Sequence, residues 1–524
     1  MGSSDGAALP RRALLSVAAK EDLGLLPERL AAHGVALLAT GRTAAALRAR
    51  GLEVTTVEDY TGSGEMLGGR VKTLHPRIHA GILARAADEA TIARDGILPI
   101  DLVAVTLYPF EETLARRALG DEVTDEDLVE EIDIGGVALL RAAAKNHARV
   151  TVLSGAQDFA AYAERLARGE GAEPEERRRL AARAFARTAY YDALIARAFA
   201  PPDDAPVSSE TALLALRRLS PLRYGENPHQ RAALYHRPGE VPAGVAHAAR
   251  LQGPELSYNN YFDADTAWRA AAGLARPAAV IVKHAAPCGA ALGESPSHAW
   301  DLAHAADPVS AFGGVVALNR PLDASLARRL TAGLFLELVL APEVTDEARA
   351  VLARRPRLRV LRVPPGPVAP APELRRIDGG YLLQEGDRAP LDDRAWRTAG
   401  RREVPGDRRE DLLLAWWIVR FLPSNAIALV RDGATVGLGG GQPNRVDAVR
   451  IAVERARRLE RPLAGAVLAS DAFFPFPDAL EEAAQAGIEI VVQPGGSKRD
   501  PEVVAAADRL GIAMIFTGER HFRH

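Results

Sequence analysis

Arg12-Ala13-Leu14-Leu15-Ser16-Val17-Ala18-Ala19-Lys20, and then Val35-Ala36-Leu37-Leu38-Ala39-Thr40-Gly41-Arg42-Thr43, set the pattern of the chain from Arg12 to about Ala200. Each is an apolar run of strand length that ends in small, hydroxyl-bearing or charged residues. Between and after them, Leu26–His33 and Ala44–Ala49 place leucine and alanine at helical period, and further apolar runs follow at Val54–Val57, Leu102–Leu107 and Val150–Leu153. Strand and helix alternating at this spacing predict an α/β unit with a parallel sheet and right-handed crossovers. A long helix over about Glu175–Phe199 closes the unit. Pro201-Pro202-Asp203-Asp204-Ala205-Pro206 cannot continue that helix and reads as a linker. The expected division is therefore 1–200, a connection over 201–221, and a second domain over 222–524.

The second domain is again mixed α/β. A proline-rich stretch at Pro364 to Pro372 is expected to divide it into two subdomains, with the boundary near 364–400. Strands are expected at Ala278–Val282, Ala426–Val430, Thr435–Gly437, Ala466–Ala469, Ile488–Val492 and Ile512–Phe516. Asp432-Gly433 is a favoured hairpin turn pair. No short repeat of solenoid type is visible.

At 524 residues the chain is too long for one hydrophobic core. Lys and Arg number 65 against 68 for Asp and Glu, so the net charge of -3 argues against a nucleic-acid coat or a membrane-surface protein. An RNA-binding scaffold would also need an aromatic-basic stripe, which is missing. Cys288 is the only cysteine, which leaves no disulfide framework and no thiolate cluster. Met1 to Pro10 is small and polar without an apolar signal core, and no apolar run is long enough to span a bilayer. The expectation is a cytoplasmic enzyme with neither nucleic acid nor membrane as partner.

Three loops of the first domain follow strands: Ser16 to Lys20, Thr40-Gly41-Arg42-Thr43, and Gly68-Gly69-Arg70-Val71-Lys72-Thr73-Leu74-His75-Pro76. Ligands of open α/β sheets bind outside the carboxyl ends of the strands, and backbone amides of glycine turns and helix starts hold phosphate. Most Gly-Thr turns are only turns, and most Arg/Lys pairs are solvated, so each loop counts only with the others. Tyr108-Pro109-Phe110 follows another strand, and Ile132-Asp133-Ile134-Gly135-Gly136 precedes a helix carrying Arg141 and Lys145. There Asp133 could simply cap the helix, and Lys145 at its end suits the dipole.

In the second domain Lys283-His284 ends a strand. An ammonium beside the imidazole disfavours its protonation and leaves it free to act as a base; the plain alternative is a surface lysine beside a packed histidine. Zinc deaminase chemistry needs H-x-E and P-C-x-x-C, and neither pattern is present around His284 or Cys288. The Gly437–Arg445 loop could cradle an anion, and Phe473, Phe474 and Phe476 form either core or a face for a flat ligand.

GRVKTLHP (Gly69–Pro76), LYPFE (Leu107–Glu111), IDIGG (Ile132–Gly136) and RAAAKNH (Arg141–His147) resemble the inosinate cyclohydrolase half of the bifunctional purine-biosynthesis family. The resemblance implies a methylglyoxal-synthase-like fold that uses no metal and no cofactor. It places Lys20, Thr40, Gly41, Thr43, Arg70, Lys72 and Thr73 about the nucleotide, with Lys72 also in the catalytic set. Tyr108 and Asp133 would stand beside the reacting formamide, and Lys145 would transfer a proton. Ring closure, which sets an amine against a formyl carbon and expels water, depends mostly on positioning and proton shuttling.

LRYGENPHQ (Leu222–Gln230), KHAAPCG (Lys283–Gly289), SAFGG (Ser310–Gly314), SNA (Ser424–Ala426), GQPNRV (Gly441–Val446), SDAFFPFPD (Ser470–Asp478), QPGGS (Gln493–Ser497) and RHFRH (Arg520–His524) resemble the formyltransferase half of the same family. They imply a tandem cytidine-deaminase-like fold, a homodimer with the transfer site at its interface, and 10-formyltetrahydrofolate as co-substrate. Lys283 would stabilise the transition state and His284 would be the base. Arg223, Tyr224, His229, Gly314, Glu337, Asn425 and Arg520 would hold the aminoimidazole carboxamide ribonucleotide. Arg445, Phe473 and Asp478 would serve the two substrates around the folate. The implied function is formyl transfer followed by closure to inosinate, the last two steps of purine synthesis. Ala18-Ala19, Arg42 and Thr106 depart from the family's Ser-Asp, Gly and Asn, as do Ala286 from Asn and Asn444 from Ser. A transferase whose N-terminal half only binds nucleotide is the alternative.

Overall fold

The computed structural model describes residues 8–201, 207–366, 372–387 and 389–524. Residues 1–7 of the expected tail, 202–206 of the expected linker and 367–371 of the second proline-rich stretch lie outside the described residues. The chain divides into two compact units, Met1–Arg217 with Arg237–Glu240, and Arg218–His236 with Val241–His524. The division thus falls at Arg217, and the end of the expected connection, 217–221, lies in the strand Arg217–Leu222.

In the first unit β1 (Arg12–Ser16), β2 (Ala36–Ala39), β3 (Thr55–Thr56), β4 (Leu102–Val105) and β5 (Thr151–Leu153) form a sheet in the order β3-β2-β1-β4-β5. Every pairing is parallel, as the alternation predicted. Helices cover both faces of such a sheet, so its central strands are apolar throughout; all four residues of β4 are buried. The strand expected at Val54–Val57 keeps two residues, because the Thr56 hydroxyl accepts from Asp59 N at 3.1 Å and starts a helix at Val57. Among the helices are α1 (Leu26–Ala32), α2 (Gly41–Ala49), α3 (Gly135–Lys145) and α4 (Pro174–Phe199).

The second unit opens with the pair β6 (Arg217–Leu222) and β7 (Ala232–His236) and then builds one sheet of 12 strands. Its first half uses β8 (Ala249–Gln252), β9 (Ala278–Lys283), β10 (Ala286–Leu292), β11 (Val315–Leu318), β12 (Leu338–Ala341) and β13 (Arg359–Arg362). A separate hairpin, β14 (Pro372–Ile377) with β15 (Gly380–Glu385), lies between the halves in sequence. The second half uses β16 (Arg397–Thr398), β17 (Ile427–Arg431), β18 (Ala434–Gly439), β19 (Val467–Ser470), β20 (Ile490–Gln493) and β21 (Ala513–Phe516).

The halves repeat one topology. In each, the second and third strands make a hairpin, the second runs antiparallel to the fourth, the fourth to sixth are parallel, and the first lies antiparallel on the sixth. The halves meet through their third strands, β10 and β18, paired antiparallel at Ala291 and Ala434. Where β10 begins, β18 therefore ends, so residues entering β10 and residues leaving β18 share one edge of the sheet. In sequence the strands of the first half end at Arg362 and those of the second begin at Arg397, while the sheet runs on through both.

Candidate functional sites

The carboxyl ends of β1, β2 and β4 open into a cavity of about 580 Å³. The loop after β1 lines it through Ser16 to Ala18 and Lys20, the loop after β2 through Thr40 and Arg42, and the loop after β4 through Thr106 and Tyr108. Arg70, Lys72 and Thr73 enter from the 68–74 segment, and Asp133 to Gly136 from the start of α3. Gly41 begins α2 beside this lining, and Thr43 is fully buried beneath it. The Thr43 hydroxyl accepts from Val17 N at 3.3 Å and from Lys20 Nζ at 3.2 Å. Lys145 sits elsewhere: it is the exposed last residue of α3, about 15 Å of helix rise from Gly135. The structure does not bring it to the cavity.

Close backbone approach shapes the site. A Cβ on Gly69, at φ +96°, would meet Lys72 Cε at 2.4 Å, and one on Gly136 would meet the Asp133 carboxylate at 2.4 Å. Asp133 accepts from Gly136 N at 2.6 Å, so it does cap α3, and its own N–H donates to the Tyr191 hydroxyl at 2.9 Å. Burial raises its pKa, while the amides of Gly136 and Tyr108 oppose the shift. Lys72 pairs with Glu65 at 3.1 Å and Arg70 with Glu130. The pKa of Lys20 is lowered, first by burial and then by the fields of Arg42 and Lys72.

Two residues here escaped their full reading from sequence. Thr106 accepts from Ala18 N at 3.0 Å and so ties the β4 loop to the β1 loop. Arg42 reaches the cavity lining. Both positions were visible as departures from the family pattern, but their partners are set by strand order.

In the second unit Lys283 and His284 occupy the β9–β10 hairpin. Lys283 pairs with Ala286, and the two turn residues, His284 and Ala285, have φ of 55° and 59°. Non-glycine residues rarely adopt this region, and such strain gathers at functional sites. The turn is closed by Asp263 of the helix Tyr258–Ala272, whose carboxylate accepts from Ala285 N at 2.6 Å. Burial raises the pKa of Asp263, against the amides of Ala285 and His284. Nothing local marks Asp263 in the sequence, because its partner lies 22 residues away. Lys283 Nζ donates to Phe312 O at 2.7 Å.

Gly314 and Glu337 precede β11 and β12, the neighbours of β9 on that side. The Glu337 carboxylate is held by Arg359 at 2.6 Å and Asn260 at 3.4 Å. Arg223 stacks on Tyr224 at 5.5 Å, and their loop is tied to the start of the Tyr258–Ala272 helix by Asn259 Nδ2 to Glu226 O at 3.3 Å. His229 is exposed in the same loop, with no partner among those bonds.

The remaining expected residues gather on the second half. Asn425 Oδ1 accepts from Arg445 Nη2 at 2.6 Å, and Arg445 also binds the buried Asp471 and, at 2.9 Å, Ser470. Arg445 is only 6% exposed, so its guanidinium is built into the scaffold and orders Asn425. Phe473 is half-buried beside the core residue Phe474, and Asp478 is exposed at the start of its helix. Arg520 stacks on Phe522 at 4.7 Å, while His521 is buried and bonds Asp387 at 2.7 Å. Arg445 follows β18 and Lys283 precedes β10, so both groups stand on the same edge of the sheet. Among the described residues no group of three or more His, Cys, Asp or Glu is placed to hold a metal, and burial pushes the Cys288 thiol up to about 12. No helix of the described residues is long and apolar enough to cross a membrane.

Residues 143–455 match the family described as the AICARFT/IMPCHase bienzyme, and residues 25–138 match the MGS-like domain. The "Bifunctional purine biosynthesis protein PurH" of Dinoroseobacter shibae is 48% identical across 98% of this chain and 99% of its own length. Its namesake in Rhodospirillum rubrum shows the same identity and coverage, 48%, 98% and 99%. That of Cereibacter sphaeroides is 46% identical over 98% of each chain.

Proposed function

The chain belongs to the AICARFT/IMPCHase bienzyme family, and from that premise we propose that its two compact units divide the two reactions between them. The enzyme is bifunctional. It transfers a formyl group to aminoimidazole carboxamide ribonucleotide (AICAR) and closes the formylated product (FAICAR) to inosinate (IMP).

Ring closure belongs to the cavity of the first unit. The observation that carries this is the convergence of three strand-end loops, Tyr108 and Asp133 on one space of about 580 Å³. The carboxamide nitrogen adds to the formyl carbon and passes one proton to the formyl oxygen. The formamide nitrogen then gives up its proton as the hydroxyl leaves as water. Asp133, pushed toward protonation by burial, suits both transfers, and Tyr108 and Lys72 stabilise charge on the departing oxygen.

Formyl transfer belongs to the hairpin turn of the second unit, with 10-formyltetrahydrofolate as donor. The amine of AICAR attacks the formyl carbon and loses its proton to the His284 imidazole. The Lys283 ammonium faces the oxyanion, and the folate nitrogen leaves carrying a proton. Gly314, Glu337 and Arg223 on one side of the edge and Asn425 and Arg520 on the other hold the nucleotide. The working form is a homodimer in the cytoplasm: Val309, Phe312 and Phe335 beside Lys283 are 72%, 57% and 47% exposed, an apolar surface suited to a second copy. Sedimentation at assay concentration tests the dimer.

His284→Ala is expected to lower formyl transfer by at least about 10²-fold and to leave cyclisation of supplied FAICAR intact. Loss of both activities in a variant with an unchanged circular dichroism spectrum would show that the units do not divide the chemistry.

A further inference from the structure

Arg42 is the second residue of α2 and is exposed on the cavity lining. The other cations of that lining are engaged: Arg70 with Glu130, Lys72 with Glu65, and Lys20 with the Val17 carbonyl and the Thr43 hydroxyl. Arg42 forms no hydrogen bond or ion pair among the described residues, although its field reaches Glu131 and Lys20.

Its position is electrostatically unfavourable. The first turn of α2 contains no acid, and the Thr40 side chain caps none of its amides. A cation at a helix N-terminus opposes the dipole, which there favours negative charge. A second cation, Lys20, stands close enough to be affected. Free amides at the helix start and a free guanidinium beside them together suit a doubly charged anion. On the facing loop Ala18 and Ala19 offer no side-chain donor, and Ala18 N is already taken by Thr106.

We propose that Arg42 binds the 5′-phosphate of the nucleotide in the ring-closing site and supplies the side-chain charge for that group. The inference rests on reading this cavity as the cyclohydrolase site. It makes affinity depend on the phosphate more than on the base or ribose, because the proposed contact is to the phosphate alone. A fork of N–H donors suits phosphate oxygens, and a lysine would supply charge without the fork.

The test uses the full chain and compares Arg42→Ala, Arg42→Lys and, as a control on the same helix, Arg48→Ala, whose guanidinium donates to the Val54 carbonyl. Calorimetry measures binding of IMP and of inosine, and kinetics measures cyclisation of FAICAR. Arg42→Ala is expected to weaken IMP binding by about tenfold to a hundredfold, the range a charged hydrogen bond supports. KM for FAICAR should rise by a similar factor, inosine binding should change little, and Arg42→Lys should fall between. The melting temperature of Arg42→Ala should be no lower than that of the wild type, since the dipole no longer opposes a cation. Equal losses for IMP and inosine, or an Arg42→Ala that behaves like Arg48→Ala, overturn the assignment. A wild-type chain that cyclises FAICAR while Arg42→Ala is unaffected sinks Arg42 alone. A wild-type chain that neither binds IMP nor cyclises FAICAR overturns both the site reading and the inference.

Discussion

Asp133 shows how one side chain can be structural and chemical together. Its carboxylate accepts the Gly136 amide at the start of α3, and burial still pushes its pKa upward. An asparagine keeps the acceptor oxygen and removes the buried charge, so Asp133→Asn separates the two roles. Cyclisation should fall by about 10² or more, while the fold should lose nothing at neutral pH. Because the folded pKa lies above the unfolded one, folding favours the neutral carboxyl. The charge therefore costs nothing below about pH 4, costs more as pH rises through the raised value, and is constant above it. The melting-temperature gain of Asp133→Asn should follow that curve; a gap that is flat between pH 4 and pH 8, or reversed, removes burial as the cause. The sequence could place Asp133 before a helix and beside a glycine pair. It could not show burial, which depends on the distant Tyr108 and Tyr191 being brought against the carboxylate and its backbone. Lys145 shows the same limit: its motif is continuous with Asp133 in sequence, while α3 sets it about 15 Å of helix rise from Gly135.

The two hairpins of the large sheet show the same separation at the scale of an element. Asp432-Gly433 was legible as a turn, because aspartate and glycine tolerate positive φ. His284-Ala285 was not, since neither residue is chosen for that geometry, yet it holds the equivalent place at φ of 55° and 59°. The helix before each hairpin closes it with one carboxylate: Asp263 binds Ala285 N at 2.6 Å, and Asp411 binds Gly433 N at 2.6 Å and Asp432 N at 3.0 Å. Local rules broken without local compensation mark candidate functional sites, and this turn carries His284, the proposed base. Ala285→Gly should therefore raise stability by up to about 1 kcal/mol in urea unfolding. Asp263→Ala and Asp411→Ala should both destabilise the chain, by about 1–3 kcal/mol each. Only Asp263→Ala should cut formyl transfer sharply, because only that turn carries Lys283 and His284. A comparable loss of transfer in Asp411→Ala would mean that these carboxylates act through stability alone.

At the scale of the molecule, the alternation of strand and helix disclosed the parallel sheet of the first unit and several strands of the second. The repeat within the second unit leaves no short period in the residues, because the equivalence lies in strand order and direction; in the sequence it shows only through the tandem fold that the family resemblance implies. That order is what brings residues of both halves to one edge, with Lys283 ahead of β10 and Arg445 behind β18. The motifs name the residues proposed for transfer one by one; the antiparallel join of β10 and β18 sets those of both halves on one edge. The residues proposed for ring closure lie within the first unit and those proposed for transfer within the second. If each unit is chemically complete for its own step, two defective chains should repair each other. Asp133→Asn supplied with AICAR and the folate should accumulate FAICAR, and His284→Ala should leave AICAR unconverted. Mixed, they should produce IMP after a lag, since FAICAR released by the first chain is closed by the second, and the lag should shorten in proportion to added His284→Ala chain. Followed by the absorbance of IMP, a mixture that stays at the sum of the two separate rates would show that FAICAR does not leave the chain that makes it.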